Sequence, residues 1–225
     1  MFSSIKKVHF VGIGGIGMSG IAEILLNQGF EISGSDLNEN DNTEYLRNKG
    51  VQIAIGHFPE NVIDKEVVVY SSAVNPDENP EILEARKLGI PVIRRAEMLA
   101  EATRLNYCIA IAGTHGKTTT TSMIGLILIK AGYDPTVIVG GRLKDFGGTN
   151  ARLGKGEWTV LEADEFDRSF LQLLPSIAVI NNIEPEHLDI YDGIEDLKST
   201  FLQFANKVPF YGFVALGSDN PNVKE

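Results

Sequence analysis

Twice in this chain a short apolar run is followed at once by a glycine-rich turn and then by a helical pattern, at residues 7–27 and again at 107–130. A strand that feeds a helix through so tight a turn is the building unit of parallel α/β architecture. The rest of the pattern agrees. Further runs read as strands at 31–34, 67–70, 136–139, 158–161, 177–180 and 213–216, with an extended segment at 90–93. Helical spacing occurs at 17–27, where Met18, Ile21, Ile24 and Leu25 share a face, and at 80–88, 95–103, 118–130 and 194–208. The restart of the strand–turn–helix pattern places a boundary near Arg104 and predicts domains over 1–105 and 106–225, for which 225 residues suffice.

Composition narrows the function. At 43% hydrophobic and 22% charged residues the chain can bury a core. Thirty acidic against twenty basic side chains give a formal net charge of −10, which argues against nucleic acid or an anionic membrane as partner. A local positive site for a phosphorylated small molecule stays compatible with that balance. The single cysteine, Cys108, excludes an intramolecular disulfide framework and a multi-cysteine zinc site, and a reducing cytoplasm is the natural compartment. Lys6-Lys7 precede an uncharged stretch at 8–22, but glycines interrupt it and Glu23 follows without a cleavage signature. The uncharged run at 118–129 falls short of the roughly 20 residues that a membrane helix needs, so neither export nor membrane insertion is expected.

Gly12, Gly14 and Gly17 form G-x-G-x-x-G between a predicted strand and a predicted helix. There the pattern predicts a Rossmann-like domain whose backbone N–H groups meet a diphosphate at the helix N-terminus. Asp36 lies about 20 residues further on, where a ribose-binding acid would sit. Alone, this reads as NAD. A UDP-sugar would meet the same dipoles, so the motif specifies a diphosphate better than a nicotinamide.

Residues 112–120 read Ala-Gly-Thr-His-Gly-Lys-Thr-Thr-Thr. Gly116-Lys117-Thr118 ends a P-loop in which backbone N–H groups cradle phosphates, the lysine reaches the β- and γ-phosphates, and the threonine hydroxyl ligates Mg²⁺. Ile111 occupies the first glycine position of the strict motif, and the shorter G-x-x-G-K-T from Gly113 fits instead. ATP is therefore the expected nucleotide, bound by Gly113, Thr114, His115, Gly116, Lys117, Thr118 and Thr119. Downstream, Glu162, Asp164, Glu165 and Asp167 cluster at a strand end, and one acid facing the P-loop would complete a Mg²⁺ site. His187 follows another strand end. His9 lies in a predicted strand and is assigned no role, Cys108 and Trp158 are assigned to packing, and Glu60, Asp64, Lys65 and Glu66 to a solvated surface.

In this order, the loop at 11–20, the P-loop at 112–121, Asn150-Ala151-Arg152-Leu153-Gly154, Glu162-Ala163-Asp164-Glu165 and the segment 182–191 resemble the Mur ligases. The resemblance implies a Rossmann-like domain that holds a UDP-substrate, followed by a P-loop α/β domain that binds ATP. It also implies cytoplasmic, ATP-dependent ligation of L-alanine to the carboxylate of UDP-N-acetylmuramate through an acyl phosphate, in peptidoglycan precursor synthesis. Carried over residue by residue, Lys117, Glu162 and His187 become catalytic, and Thr118, Glu162 and His187 hold Mg²⁺. Gly12, Gly14, Gly15, Ile16, Gly17, Asp36, His57, Ser72, Ala73, Asn150 and Arg152 become contacts of the UDP-sugar. The family pattern continues through more ATP domain and an amino-acid-binding domain, so this chain is expected to be incomplete and unable to ligate alone. Three rivals stand beside this reading: a muropeptide-recycling ligase that adds a tripeptide to the same sugar nucleotide, an NAD-dependent oxidoreductase resting on the first loop and Asp36, and a non-catalytic UDP-sugar or ATP binding module.

Overall fold

The structure, a computed structural model, describes residues 5–104, 106–140, 151–166, 168–186 and 190–225. The chain divides into two compact units, Met1–Ala102 and Thr103–Glu225.

In the first unit the order is β1 (Lys7–Val11), α1 (Ile16–Asn27), β2 (Glu31–Asp36), α2 (Asp41–Asn48), β3 (Gln52–Ile55), β4 (Val67–Tyr70), α3 (Pro80–Lys87), β5 (Val92–Arg94) and α4 (Arg95–Thr103). The strands form one sheet in the order β3-β2-β1-β4-β5, and every pairing is parallel. Central β1 is buried from Val8 to Val11, as parallel strands covered on both faces must be. The chain leaves β1 toward β2 on one side and returns at β4 on the other. Beyond the carboxyl ends of β1 and β4 the strands therefore part and leave a crevice, the usual ligand position in such sheets. Two elements here have no counterpart in the sequence reading. Helix α2 is polar and buries only Thr43 and Leu46, but it starts on a capping box in which the Asn40 side chain accepts from Asn42 and Thr43 N–H at 3.0 Å. Strand β3 lies at the sheet edge with no residue fully buried, so it lacks the apolar alternation that marks a strand.

The second unit runs β6 (Tyr107–Ala112), α5 (Lys117–Lys130), β7 (Thr136–Ile138), β8 (Ala151–Arg152), β9 (Trp158–Glu162), β10 (Ile177–Ile180), α6 (Ile194–Ala205), β11 (Phe213–Leu216) and α7 (Pro221–Lys224). Its sheet order is β11-β10-β6-β9-β7-β8, parallel except for β7 with β8. Again the first strand, β6, lies inside the sheet, between β9 and β10, which puts a second crevice at its carboxyl end. Helix α6 packs Phe201 and Phe204 on Phe170, with ring centroids 5.4 and 4.9 Å apart. It ends at Ala205, short of the Val208 that its periodicity predicts, because Pro209 disfavours helical backbone in the residue before it. Among the described residues no helix is long and apolar enough to cross a membrane.

Candidate active site

The first glycine loop is shaped chiefly by its own protein contacts. Gly12 has φ +81°, a conformation that favours glycine. Its N–H and that of Ile13 donate to the Ser35 carbonyl at 2.8 and 3.0 Å. Gly14 is buried, its N–H donates to Asp36 Oδ2 at 2.8 Å, and a Cβ there would meet the Asn40 amide at 2.5 Å. Gly14 therefore serves the packing of α2 against the loop, and Asp36 holds the loop through that same bond. Gly15 and Ile16 are the exposed residues at the start of α1, where the helix dipole favours an anion. A Cβ on Gly17 would lie 2.7 Å from the Arg95 guanidinium.

Ser71 N–H donates to Val11 O, and a turn closes from Val74 N–H to Ser71 O. This brings exposed Ser72 and Ala73 beside Gly12, whose added Cβ would be 3.3 Å from Ser71 Cβ. His57 reaches the same edge, since Gly56 N–H donates to Asp36 O. Its Nδ1 lies 2.9 Å from Ser35 Oγ and 3.2 Å from the Glu81 carboxylate. Burial pushes the Glu81 carboxyl up, but the neighbouring His9 imidazole and hydrogen bonds from Ser35 and Asn61 outweigh it and hold the group below the usual range. Glu81 is absent from the sequence reading: in a helical pattern it looks like any first-turn acid.

In the second unit the P-loop joins β6 to α5. Gly116, at φ +80°, is the N-cap of α5. The loop rests on the residues behind β10: Thr114 N–H donates to Asn182 O at 3.2 Å, His115 N–H donates to Asn182 Oδ1 at 2.8 Å, and Asn181 Nδ2 donates to His115 O at 3.2 Å. Lys117 Nζ donates to Gly113 O at 2.8 Å and to both oxygens of Glu165, at 3.1 and 2.8 Å. Glu165 is buried, and its backbone carbonyl accepts the Tyr191 hydroxyl. Sequence reasoning grouped Glu165 with its acidic neighbours, passed over Asn181 and took in Asn182 only as the start of the segment 182–191. Two adjacent amides directly behind an apolar strand were the available signal.

The predicted Mg²⁺ donors are tested by Glu162. It ends β9 beside the P-loop strand, and its Oε1 is buried without a hydrogen-bond partner among the described residues. A buried carboxylate oxygen left bare suits a cation. Half-buried Thr118 lies in the first turn of α5. Thr119 is exposed. Among the described residues no cluster of three acidic, histidine or cysteine ligands forms. His187 and Asn150, predicted as a metal ligand and a sugar contact, lie outside the described residues. Arg152 is engaged away from the P-loop: its guanidinium donates to Asp134 Oδ1 at 2.6 Å and to Pro135 O at 2.7 Å, ahead of β7 and so at the opposite end of the strands.

Comparison with known proteins agrees with this arrangement. Residues 7–107 match the profile described as Mur ligase family, catalytic domain, and residues 111–225 match the Mur ligase middle domain. The chain is 60% identical over 220 residues to the UDP-N-acetylmuramate–L-alanine ligase of Sulfurihydrogenibium sp. (strain YO3AOP1) and 61% over 221 residues to that of Aquifex aeolicus (strain VF5). In both cases 98% of this chain and 48% of the relative are covered, so the chain spans about half the length of these curated relatives. The crystal structure of UDP-N-acetylmuramate-alanine ligase from Thermotoga maritima aligns with 96% of this chain and 50% of its own, at TM-score 0.84 and 32% identity. The UDP-N-acetylmuramate:L-alanyl-gamma-D-glutamyl-meso-diaminopimelate ligase from Neisseria meningitides covers 98% and 74%, at TM-score 0.87 and 29% identity. With a glycine loop at one crevice, a P-loop at the other and both family profiles filling the chain in order, this protein belongs to the Mur ligase family.

Proposed function

We propose that this chain carries the sugar-nucleotide and ATP-phosphate sites of a cytoplasmic ligase that joins L-alanine to the carboxylate of UDP-N-acetylmuramate. The observation that carries the reading is the identity of 60% and 61%, over nearly the whole chain, to ligases of that name. The first unit would hold the uridine diphosphate at the start of α1, beside Ser72, Ala73 and His57. The second would hold the ATP phosphates on the loop from Gly113 to Thr119.

A carboxylate resists amines because its charge repels the nucleophile and it lacks a leaving group. Transfer of the ATP γ-phosphoryl group to a carboxylate oxygen gives an acyl phosphate. The alanine amine then attacks the acyl carbon, and phosphate leaves from the tetrahedral intermediate. Phosphoryl transfer between two anions depends on positioning and charge neutralisation. Lys117 provides a cation at the loop, and on ATP binding it exchanges the Glu165 carboxylate for phosphate oxygens. Bound by Thr118, Glu162 and His187, Mg²⁺ would add Lewis-acid neutralisation of the phosphate charge. Isothermal titration with UDP-N-acetylmuramate, with NADH as comparison, tests the first site. Sugar-nucleotide binding without NADH binding is the expected result, and NADH binding alone would overturn the reading. The Neisseria meningitides match favours a second reading, in which a tripeptide replaces L-alanine. Turnover by a protein of the relatives' full length that carries this chain, offered each amine in turn, separates the two.

A further inference from the structure

Beneath the glycine loop lies a buried polar cluster that the proposed chemistry leaves unused. The Glu81 side chain has no solvent exposure, and Ser35 is equally buried. The Ser35 hydroxyl donates to Glu81 Oε2 at 2.5 Å. Asn61 Nδ2 donates to the other oxygen, and His9 Nε2 lies 3.6 Å from it. His9 is itself buried and pairs through Nδ1 with Ser33 Oγ at 3.0 Å. His57, whose side chain is 12% exposed, brings Nδ1 to 2.9 Å from Ser35 Oγ and 3.2 Å from Glu81 Oε2.

Proton counting fixes the direction of these bonds. Ser35 has one hydroxyl proton, and an ionised carboxylate only accepts, so that proton lies toward Glu81. His57 Nδ1 can then approach both oxygens only as an N–H donor. Among the described residues no hydrogen bond engages His57 Nε2. The Ser35 carbonyl is also the acceptor for Gly12 and Ile13, so one residue ties the cluster to the glycine loop. A buried carboxylate requires a compensating partner, and one behind an imidazole fixes its tautomer and its ring orientation.

We infer that Glu81 is a positioning residue of the sugar-nucleotide site: through Ser35 it orients His57 with Nδ1 protonated, so that the Nε2 lone pair accepts from a ribose hydroxyl of the uridine diphosphate. The inference rests on the proposed placement of that ligand at the first unit's crevice. It gives Glu81, Ser35 and His9 a shared purpose that the sequence did not suggest.

The test is a double-mutant cycle on UDP binding by the 225-residue chain, using Glu81→Gln, His57→Gln and the double variant, with melting curves as folding control. Glu81→Gln is expected to weaken UDP binding about tenfold, the worth of one oriented hydrogen bond to the ligand. In the His57→Gln background the same change should have an effect within about twofold, because Glu81 then has nothing left to orient. Equal losses in both backgrounds would overturn the inference, as would a Glu81→Gln chain that binds UDP like the wild type. If the wild type itself fails to bind UDP, the placement of the sugar nucleotide falls and takes the inference with it. Nitrogen-15 spectra of the wild-type imidazoles, with His57 assigned by loss of its signal in His57→Gln, need no folded Glu81 variant. They should show Nδ1 of His57 protonated in the ligand-free chain, and an unprotonated Nδ1 would equally overturn the inference.

Discussion

Replacing Lys117 by methionine should destabilise the second unit even with no nucleotide present. Glu165 is 1% exposed, and among the described residues Lys117 alone donates to its carboxylate. Removing the ammonium leaves a buried charge without a partner, a loss of about 3–5 kcal/mol. Glu165→Gln should cost less, about 1–3 kcal/mol, because the Lys117 side chain keeps the Gly113 carbonyl and is 17% exposed. Joining Lys117→Met to Glu165→Leu removes both charges and should restore stability to within about 1 kcal/mol of the wild type, far from the sum of the single losses. For a unit running from Thr103 to Glu225, the Lys117→Met loss corresponds to a fall of about 10–20 °C in Tm. The sole tryptophan, Trp158, lies on β9 of this unit, so its fluorescence follows the right transition during thermal melts without ATP. Lys117→Met melting within about 3 °C of the wild type, or a double variant as unstable as the summed singles, would refute the buried-pair reasoning.

Gly34→Ala should lose about 3 kcal/mol in chemical denaturation, since its Cβ would lie 2.6 Å from Ile13 Cδ1 and 2.8 Å from the Phe10 carbonyl. Gly17→Ala meets only the movable end of Arg95, so its stability should stay within about 1 kcal/mol of the wild type while UDP binding weakens. Burial pushes the Cys108 thiol up to about 12, so at neutral pH maleimide labelling should follow global unfolding, and labelling at the rate of free cysteine in the native chain would contradict it. Glu81 has its carboxyl held below its unfolded value. Its contribution to stability is therefore present above the unfolded carboxylate range, about 4.3, and is lost as pH falls through the lower folded value. Acid titration of the melting temperature should be flatter in Glu81→Gln, and an unchanged slope would count against the assignment.

Much of the fold was legible because apolar periodicity is a local property. The runs that became β4, β6 and β10 carry unbroken apolar residues, and the helices behind both glycine turns follow from spacing alone. Elements stabilised by caps or edges were not legible in that way. Helix α2 depends on the reciprocal bonds of Asn40 and Thr43, and β3 on pairing with β2. Two-residue β8 exists only because Val137 and Ile138 offer it an antiparallel partner.

For the site, the order of residues along the chain determined the two phosphate loops, their strands and helices, and the nucleotide chemistry they suit, since each motif is contiguous. Partnership across the sheets was decided only by the tertiary structure. Lys117 and Glu165 are brought together from separate strand ends, Asn181 and Asn182 support the P-loop from behind β10, and Glu81 reaches Ser35 and His57 from the start of α3. Spacing along one strand or helix cannot report such pairs, because they depend on which strands become neighbours and on how deeply each charge is withdrawn from water.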